Sequence, residues 1–205
     1  MTLARVPLPK LVLRDHNLEM VEAWRRWFDQ ERLDIEIEHA DIFDGQPCDA
    51  ILNPANSFGI MTGGIDLTYA EVFGWDMVER LITKIDEDWW GELPVGAALT
   101  LATGAQDYRW LVSAPTMRTP ESSVGTINAY HAFRAALLAV ARHNAWHDEH
   151  NQIRSLLSPG LCTGVGELPA AQCARQMMAA TRRVNRCPTD FSGPRNWARF
   201  MRGEV

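Results

Sequence analysis

Residues 53–66 read Asn53-Pro54-Ala55-Asn56-Ser57-Phe58-Gly59-Ile60-Met61-Thr62-Gly63-Gly64-Ile65-Asp66. The apolar run Ala50-Ile51-Leu52 in front of them has the length of a buried strand, and residues 67–73 behind them suit the first turns of a helix. A strand, a glycine-bearing loop and a helix in that order aim unpaired backbone N–H groups and the positive end of a helix dipole at one point. Such a point holds an anion, phosphate above all, without lysine or arginine. Asn53 and Asn56 add side chains that both donate and accept. Asp66, where the loop enters the helix, is awkward beside a phosphate. Either it caps the helix, or it polarises a water or reads a hydroxyl, and the sequence leaves both open.

A second stretch repeats this grammar. Leu161-Cys162-Thr163-Gly164-Val165-Gly166 follows the strand-like Ser155-Leu156-Leu157. Glycines at 164 and 166 let the backbone approach a diphosphate, and Thr163 adds a donor. Gly63 and Gly64 alone could serve only a tight turn. Two glycine loops in the same setting favour binding, because ligands of open α/β sheets lie outside the carboxyl ends of the strands.

The rest of the chain supplies the alternation such a sheet needs. Strands are expected at residues 11–13, 35–38, 50–53, 97–103, 110–114 and 153–157. Helices are expected at 18–30 with Asn17 as N-cap, 66–74, 75–88, 128–143 and from Pro169 to about 184, with a short tail helix at 194–201. This predicts an α/β fold: a single three-layer α/β/α domain around a mainly parallel, mixed sheet of about six strands.

Length and composition fit that reading. A chain of 205 residues with 46% hydrophobic and 22% charged residues suits one domain with a sizeable core. The net charge of -6 argues against general nucleic-acid or anionic-membrane attraction, so an anionic ligand must be held locally by backbone dipoles. Cys48, Cys162, Cys173 and Cys187 form no Cys-x-x-Cys pair and no histidine stands at metal-ligand spacing, so neither a metal site nor a disulfide framework is expected. No apolar run approaches the ~20 residues that cross a bilayer, and residues 1–10 lack a signal-like apolar stretch, so a cytoplasmic protein is expected. The loops of P-loop nucleotide enzymes and Rossmann dinucleotide sites are not found. No histidine pairs with a serine or cysteine in a nucleophile motif, and those from His143 onward are expected at a solvated helix end. The eight tryptophans, without a basic groove, read as core or contact surface rather than base-stacking residues.

Asn53-Pro54-Ala55-Asn56 followed by Gly63-Gly64-Ile65-Asp66 resembles the Asn-Ala-Ala-Asn and Gly-Gly-Gly hallmark of the macrodomains, which bind ADP-ribose. Cys162-Thr163-Gly164-Val165 is similar to that family's diphosphate loop. With Asp41-Ile42 and Pro94-Val95-Gly96, the resemblance spans roughly residues 35–184; residues 1–34 form an added strand and helix and 185–205 a tail. The wording around Ile60-Met61-Thr62 and Ala114-Pro115-Thr116-Met117-Arg118 looks most like a divergent bacterial and phage branch.

The resemblance implies that ADP-ribose, or an ADP-ribosylated macromolecule, is the partner, with no cofactor besides that ligand and no metal. It places Asp41 and Ile42 at the adenine, and Asn53, Asn56, Gly63, Gly64, Ile65, Cys162, Thr163, Gly164, Val165 and Gly166 around the diphosphate and distal ribose. Arg118 follows a strand end and could reach a phosphate. The spacing of Asn56 and Asp66 matches hydrolytic members, implying that Asn56 positions the ribose while Asp66 activates a water. Hydrolysis of an ADP-ribosyl linkage or of O-acetyl-ADP-ribose is therefore one expectation. A non-catalytic ADP-ribose reader and an ADP-ribose phosphate phosphatase are the alternatives. Three departures stand out: Pro54 replaces an alanine and removes a donor, Gly166 and Glu167 replace the aromatic that packs on the distal ribose in many hydrolytic members, and no apolar strand follows Val184. For adenine stacking Phe43 and Phe191 are the candidates, with core packing the stronger reading of Phe43.

Overall fold

The computed structural model describes residues 8–29 and 33–185. The expected tail helix at 194–201, Phe191 and Cys187 lie outside the described residues. In chain order the elements are β1 (Lys10–Asp15), α1 (Leu18–Phe28), β2 (Ile35–His39), β3 (Ala50–Asn53), α2 (Gly64–Phe73), α3 (Trp75–Trp89), β4 (Leu99–Ala102), β5 (Trp110–Ser113), α4 (Asn128–Trp146), β6 (Ser155–Ser158) and α5 (Ala170–Asn185).

The six strands form one sheet in the order β2-β1-β6-β3-β5-β4. Five of them run parallel, and β4 pairs antiparallel with β5 at the edge, registering Leu99 against Ser113. A turn at residues 103–109 joins β4 to β5, too short for the crossover that parallel pairing requires. β1, expected as an addition to the sheet, sits inside it between β2 and β6.

Side-chain alternation splits the core into two layers. Leu11, Leu13, Ala50, Leu52, Val112 and Leu156 face α1, α4 and α5 together with Trp24, Phe133 and Met177. Val12, Ile51, Leu111 and Leu157 face the opposite way, against Tyr69, Met77, Leu81 and Ile85 of α2 and α3. Phe43 joins that second layer, edge-on to Tyr69, Phe73 and Tyr108 at 5.6–5.9 Å between ring centres, which makes it a core residue.

α4 runs three residues past its expected end at 143. His143 is 5% exposed rather than solvated, stacked on His147 at 3.8 Å, edge-on to Trp110 at 4.3 Å and bonded through Nε2 to the Asn151 carbonyl at 2.8 Å. Burial lowers its pKa, so the neutral ring suits the site. α1 begins as its sequence dictates, with the Asn17 side chain accepting from Glu19 N–H at 2.9 Å.

A charged residue fixes one flank of the sheet from inside. Arg14 of β1 is fully buried, pairs with Glu38 of β2, and donates to the carbonyls of Ile42 at 2.8 Å and Gln46 at 2.9 Å. It thereby shapes the turn after β2 that carries Asp41. Gly45 leaves room for the guanidinium, because a Cβ there would overlap it. Arg14→Met would strand Glu38 and two carbonyls. It should cost about 3 kcal/mol, the low end for a broken buried pair since Glu38 is partly open to water, as read by urea denaturation. Gly45→Ala, an overpacking change, should cost roughly 1–3 kcal/mol in the same assay.

Candidate functional site

Since β1, β2, β3, β5 and β6 are mutually parallel, their carboxyl ends open on one side of the sheet. There they surround a cleft of ≈ 660 Å³. Its wall takes Arg14, Asp15 and Asn17 from the end of β1, Asp41 and Ile42 from beyond β2, and residues of the loop between β3 and α2. It takes Thr116, Met117 and Pro120 from beyond β5, and Gly160 with residues 162–166 from beyond β6.

The two glycine loops therefore meet in one cavity. Among the described residues, the main-chain N–H groups of Thr62, Gly63, Gly64, Ile65 and Asp66 make no hydrogen bond, nor do those of residues 162–166. The first set includes the opening N–H groups of α2, which a helix cannot satisfy within itself. Gly64 sits at φ +57, where a side chain is strained, so this entry to the helix calls for glycine.

The second loop closes on itself, Leu168 N–H bonding the Cys162 carbonyl and Glu167 N–H the Gly164 carbonyl, both at 2.9 Å. A Cβ on Gly166 would stand 2.6 Å from the Cys162 carbonyl oxygen and 2.9 Å from Ser123 Oγ. Position 166 thus has no space for a side chain. Burial pushes the Cys162 thiol up to about 11, so it stays protonated and is no nucleophile.

The cleft is poor in available cations. Among the described residues no lysine lines it, and Arg14 spends its donors on Glu38, Ile42, Gln46 and Tyr108. Three carboxylates, Asp15, Asp41 and Asp66, stand in the wall instead. Asp15 is structural: its two oxygens accept from Asn17 N–H at 2.8 Å and Gly160 N–H at 3.0 Å, tying the end of β1 to the second loop. Asp41 spends one oxygen on Phe43 N–H at 3.2 Å, the turn contact common for aspartate at strand ends, while still lining the cleft beside Ile42.

Asp66 differs from both. It lies in the first turn of α2 yet makes no capping bond, and its buried Oδ1 has no partner among the described residues. Burial raises its pKa from 3.8 to about 7, so near neutral pH it can take up or release a proton.

Asn56 lines the cleft, but its amide holds the loop: Nδ2 donates to the Ile60 carbonyl at 2.7 Å, and Oδ1 accepts from Phe58 N–H at 3.0 Å and Ile60 N–H at 3.2 Å. One N–H of the amide is left for a ligand. Two expected ligand residues stand elsewhere. Asn53, the last residue of β3, is fully buried behind the wall with its amide near Met61 Sδ, because strand alternation turns it toward the α2 side. Arg118 is absent from the wall. Glu92 holds it in a forked pair of 2.9 Å bonds, and its guanidinium lies over the ring of Phe58, 5.1 Å from the ring centre.

Arg14, Asp15 and Phe58 were not picked out from the sequence. The first two had a readable signal, a strand, a short polar turn and an Asn-capped helix at residues 10–18, the same grammar as the glycine loops.

A family profile described as Macro domain matches residues 52–177. An uncharacterised protein of Aquifex aeolicus is 28% identical over 151 residues, covering 74% of this chain and 82% of its own length. Among solved structures, the macrodomain of Mycobacterium tuberculosis DarG superposes with a TM-score of 0.57 at 18% identity, over 71% of this chain and 88% of that one. A mutant Oceanobacillus iheyensis macrodomain with ADPR gives 0.55 at 16% identity, over 69% and 73%. These structural likenesses bear on the fold alone, while the family profile takes in more than half of the sequence. On that match over residues 52–177, the chain belongs to the Macro domain family.

Proposed function

We propose that the cleft binds ADP-ribose and that Asp66 makes it a hydrolase of ADP-ribosyl linkages. One observation carries the binding: two runs of main-chain N–H groups without partners, at residues 62–66 and 162–166, border one cavity in which, among the described residues, no lysine stands and Arg14 is already spent. Such a wall suits a diphosphate, whose oxygens accept from amides and need no counter-ion when a helix N-terminus points at them. The Oceanobacillus iheyensis macrodomain structures with ADPR and with ADP support the choice of ligand.

For the chemistry, Asp66 takes a proton from a water whose oxygen bonds to the anomeric carbon of the distal ribose. The bond from that carbon to the carrier breaks, and the leaving group keeps the electron pair and picks up a proton. The free N–H of Asn56 orients the sugar, and the loops fix the diphosphate.

A reader role is the second reading, favoured by the commitment of most of the Asn56 amide to its own loop. Incubation with ADP-ribosylated protein, ADP-ribosylated DNA and O-acetyl-ADP-ribose separates the two. Release of ADP-ribose supports the hydrolase, and tight ADP-ribose binding without release supports the reader.

Asp66→Asn should keep ADP-ribose binding and lower turnover by about 10²-fold or more, the usual share of one general base. Only the ionised carboxylate accepts a proton, so wild-type turnover should climb through pH 7 and drop about tenfold per unit below it. Stability should move the other way. A carboxyl whose folded pKa is raised loses stability as pH increases from about 4 to 7, so the advantage of Asp66→Asn in thermal melts should be larger at pH 8 than at pH 5.

A further inference from the structure

The cleft is long as well as deep. Asp41 follows β2, whereas Phe58 sits in the loop after β3, where the neighbouring Ser57 N–H bonds the Arg118 carbonyl beyond β5, so the two stand toward opposite ends of the row of parallel strands. At about 4.8 Å per strand the row spans ~19 Å, enough for a ligand that carries a group on each side of its diphosphate. The glycine loops belong to β3 and β6, in the middle of the row, where the diphosphate would sit.

The two ends offer different chemistry. Asp41 presents a carboxylate oxygen beyond the one that bonds Phe43 N–H, an acceptor suited to an amino-bearing base. The β3–α2 unit offers hydroxyl partners, the remaining Asn56 N–H and the Asp66 carboxylate, and it carries the only phenyl ring among the described residues that line the cleft. That ring is Phe58, half-buried and part of the cleft wall.

Its setting is built rather than incidental. Phe58 N–H is held by Asn56 Oδ1 at 3.0 Å, and the neighbouring Ser57 is fixed on both sides, its N–H to the Arg118 carbonyl at 3.1 Å and its carbonyl to Leu93 N–H at 2.9 Å. The Arg118 guanidinium, absent from the cleft wall, lies over the ring and is held in turn by two bonds to Glu92. A cation over an aromatic face attracts the ring. No ring can come from the second loop, because a side chain at Gly166 would collide with the Cys162 carbonyl.

We propose that Phe58 is the stacking surface for the ring beyond the diphosphate, the sugar farther from the base, and that Arg118 and Glu92 act as positioning residues that brace it. This rests on the ADP-ribose reading of the cleft. The assignment turns Arg118 from a phosphate contact into a support, and makes Phe58 the residue by which the cleft tells ADP-ribose from ADP.

Calorimetric titration of the wild type, Phe58→Ala, Phe58→Trp and Arg118→Ala with ADP-ribose and with ADP tests it. Phe58→Ala should weaken ADP-ribose roughly tenfold, the scale of one lost stacking surface, and leave ADP within about twofold. Phe58→Trp should keep the preference for ADP-ribose, and Arg118→Ala should fall between Phe58→Ala and the wild type. A general loosening of the loop would weaken both ligands alike, so an unchanged ratio of the two affinities in Phe58→Ala overturns the inference. If Phe58→Ala does not fold, an Arg118→Ala protein with the wild-type ratio overturns it instead. A wild type that binds neither ligand overturns both this assignment and the ADP-ribose reading, whereas failure of Phe58 alone leaves wild-type ADP-ribose binding in place.

Discussion

Parallel pairing is the constraint from which the rest of this molecule follows. Strands that run the same way finish on the same side, and each then leaves the sheet through a turn whose amides have lost their ladder partners. Five such turns arrive side by side here. The antiparallel edge strand β4 ends elsewhere and gives nothing to the cleft. The ligand site is therefore what the topology leaves at that edge of the sheet, and the loop sequences only decide which amides stay free. Asn56 spends its side chain to keep residues 58–60 turned, Asp15 does the same for Gly160, and the amides that follow each anchor, at 62–66 and 162–166, remain open.

The electrostatic pattern is consistent with this division. A chain of net charge -6 lines its cleft with carboxylates; Asp15 has both oxygens taken by main-chain N–H groups and Asp41 has one. Asp66 has no such contact, and burial without a partner is what lifts its proton affinity. A group like that destabilises the fold at neutral pH, a cost typical of residues retained for chemistry rather than for packing.

Much of this was legible from the sequence, for reasons that differ by element. The strand-loop-helix units at 50–73 and 155–185 announce themselves because glycine and apolar periodicity are local signals, and their convergence follows from the parallel sheet they imply. The inner position of β1 was not legible, since strand order depends on long-range packing and the short run Leu11-Val12-Leu13 says nothing of its neighbours. The pairing of Arg118 was hidden for the same reason, its partner Glu92 being 26 positions away. Asn53 and Asn56 look equivalent in a motif. Only the alternation of β3, which buries one and leaves the other at the wall, separates them.

The buried guanidinium of Arg14 has a kinetic corollary. Its acceptors lie on β2 and on two points of the turn beyond it, with the Tyr108 hydroxyl as a further contact; losing Glu38 leaves the buried charge unpaired, and losing a carbonyl leaves one of its donors unsatisfied. That flank resists local opening, so amide exchange there should follow global unfolding more closely than on the Phe58 side, whose outermost bond is the solvent-exposed Arg118–Glu92 pair.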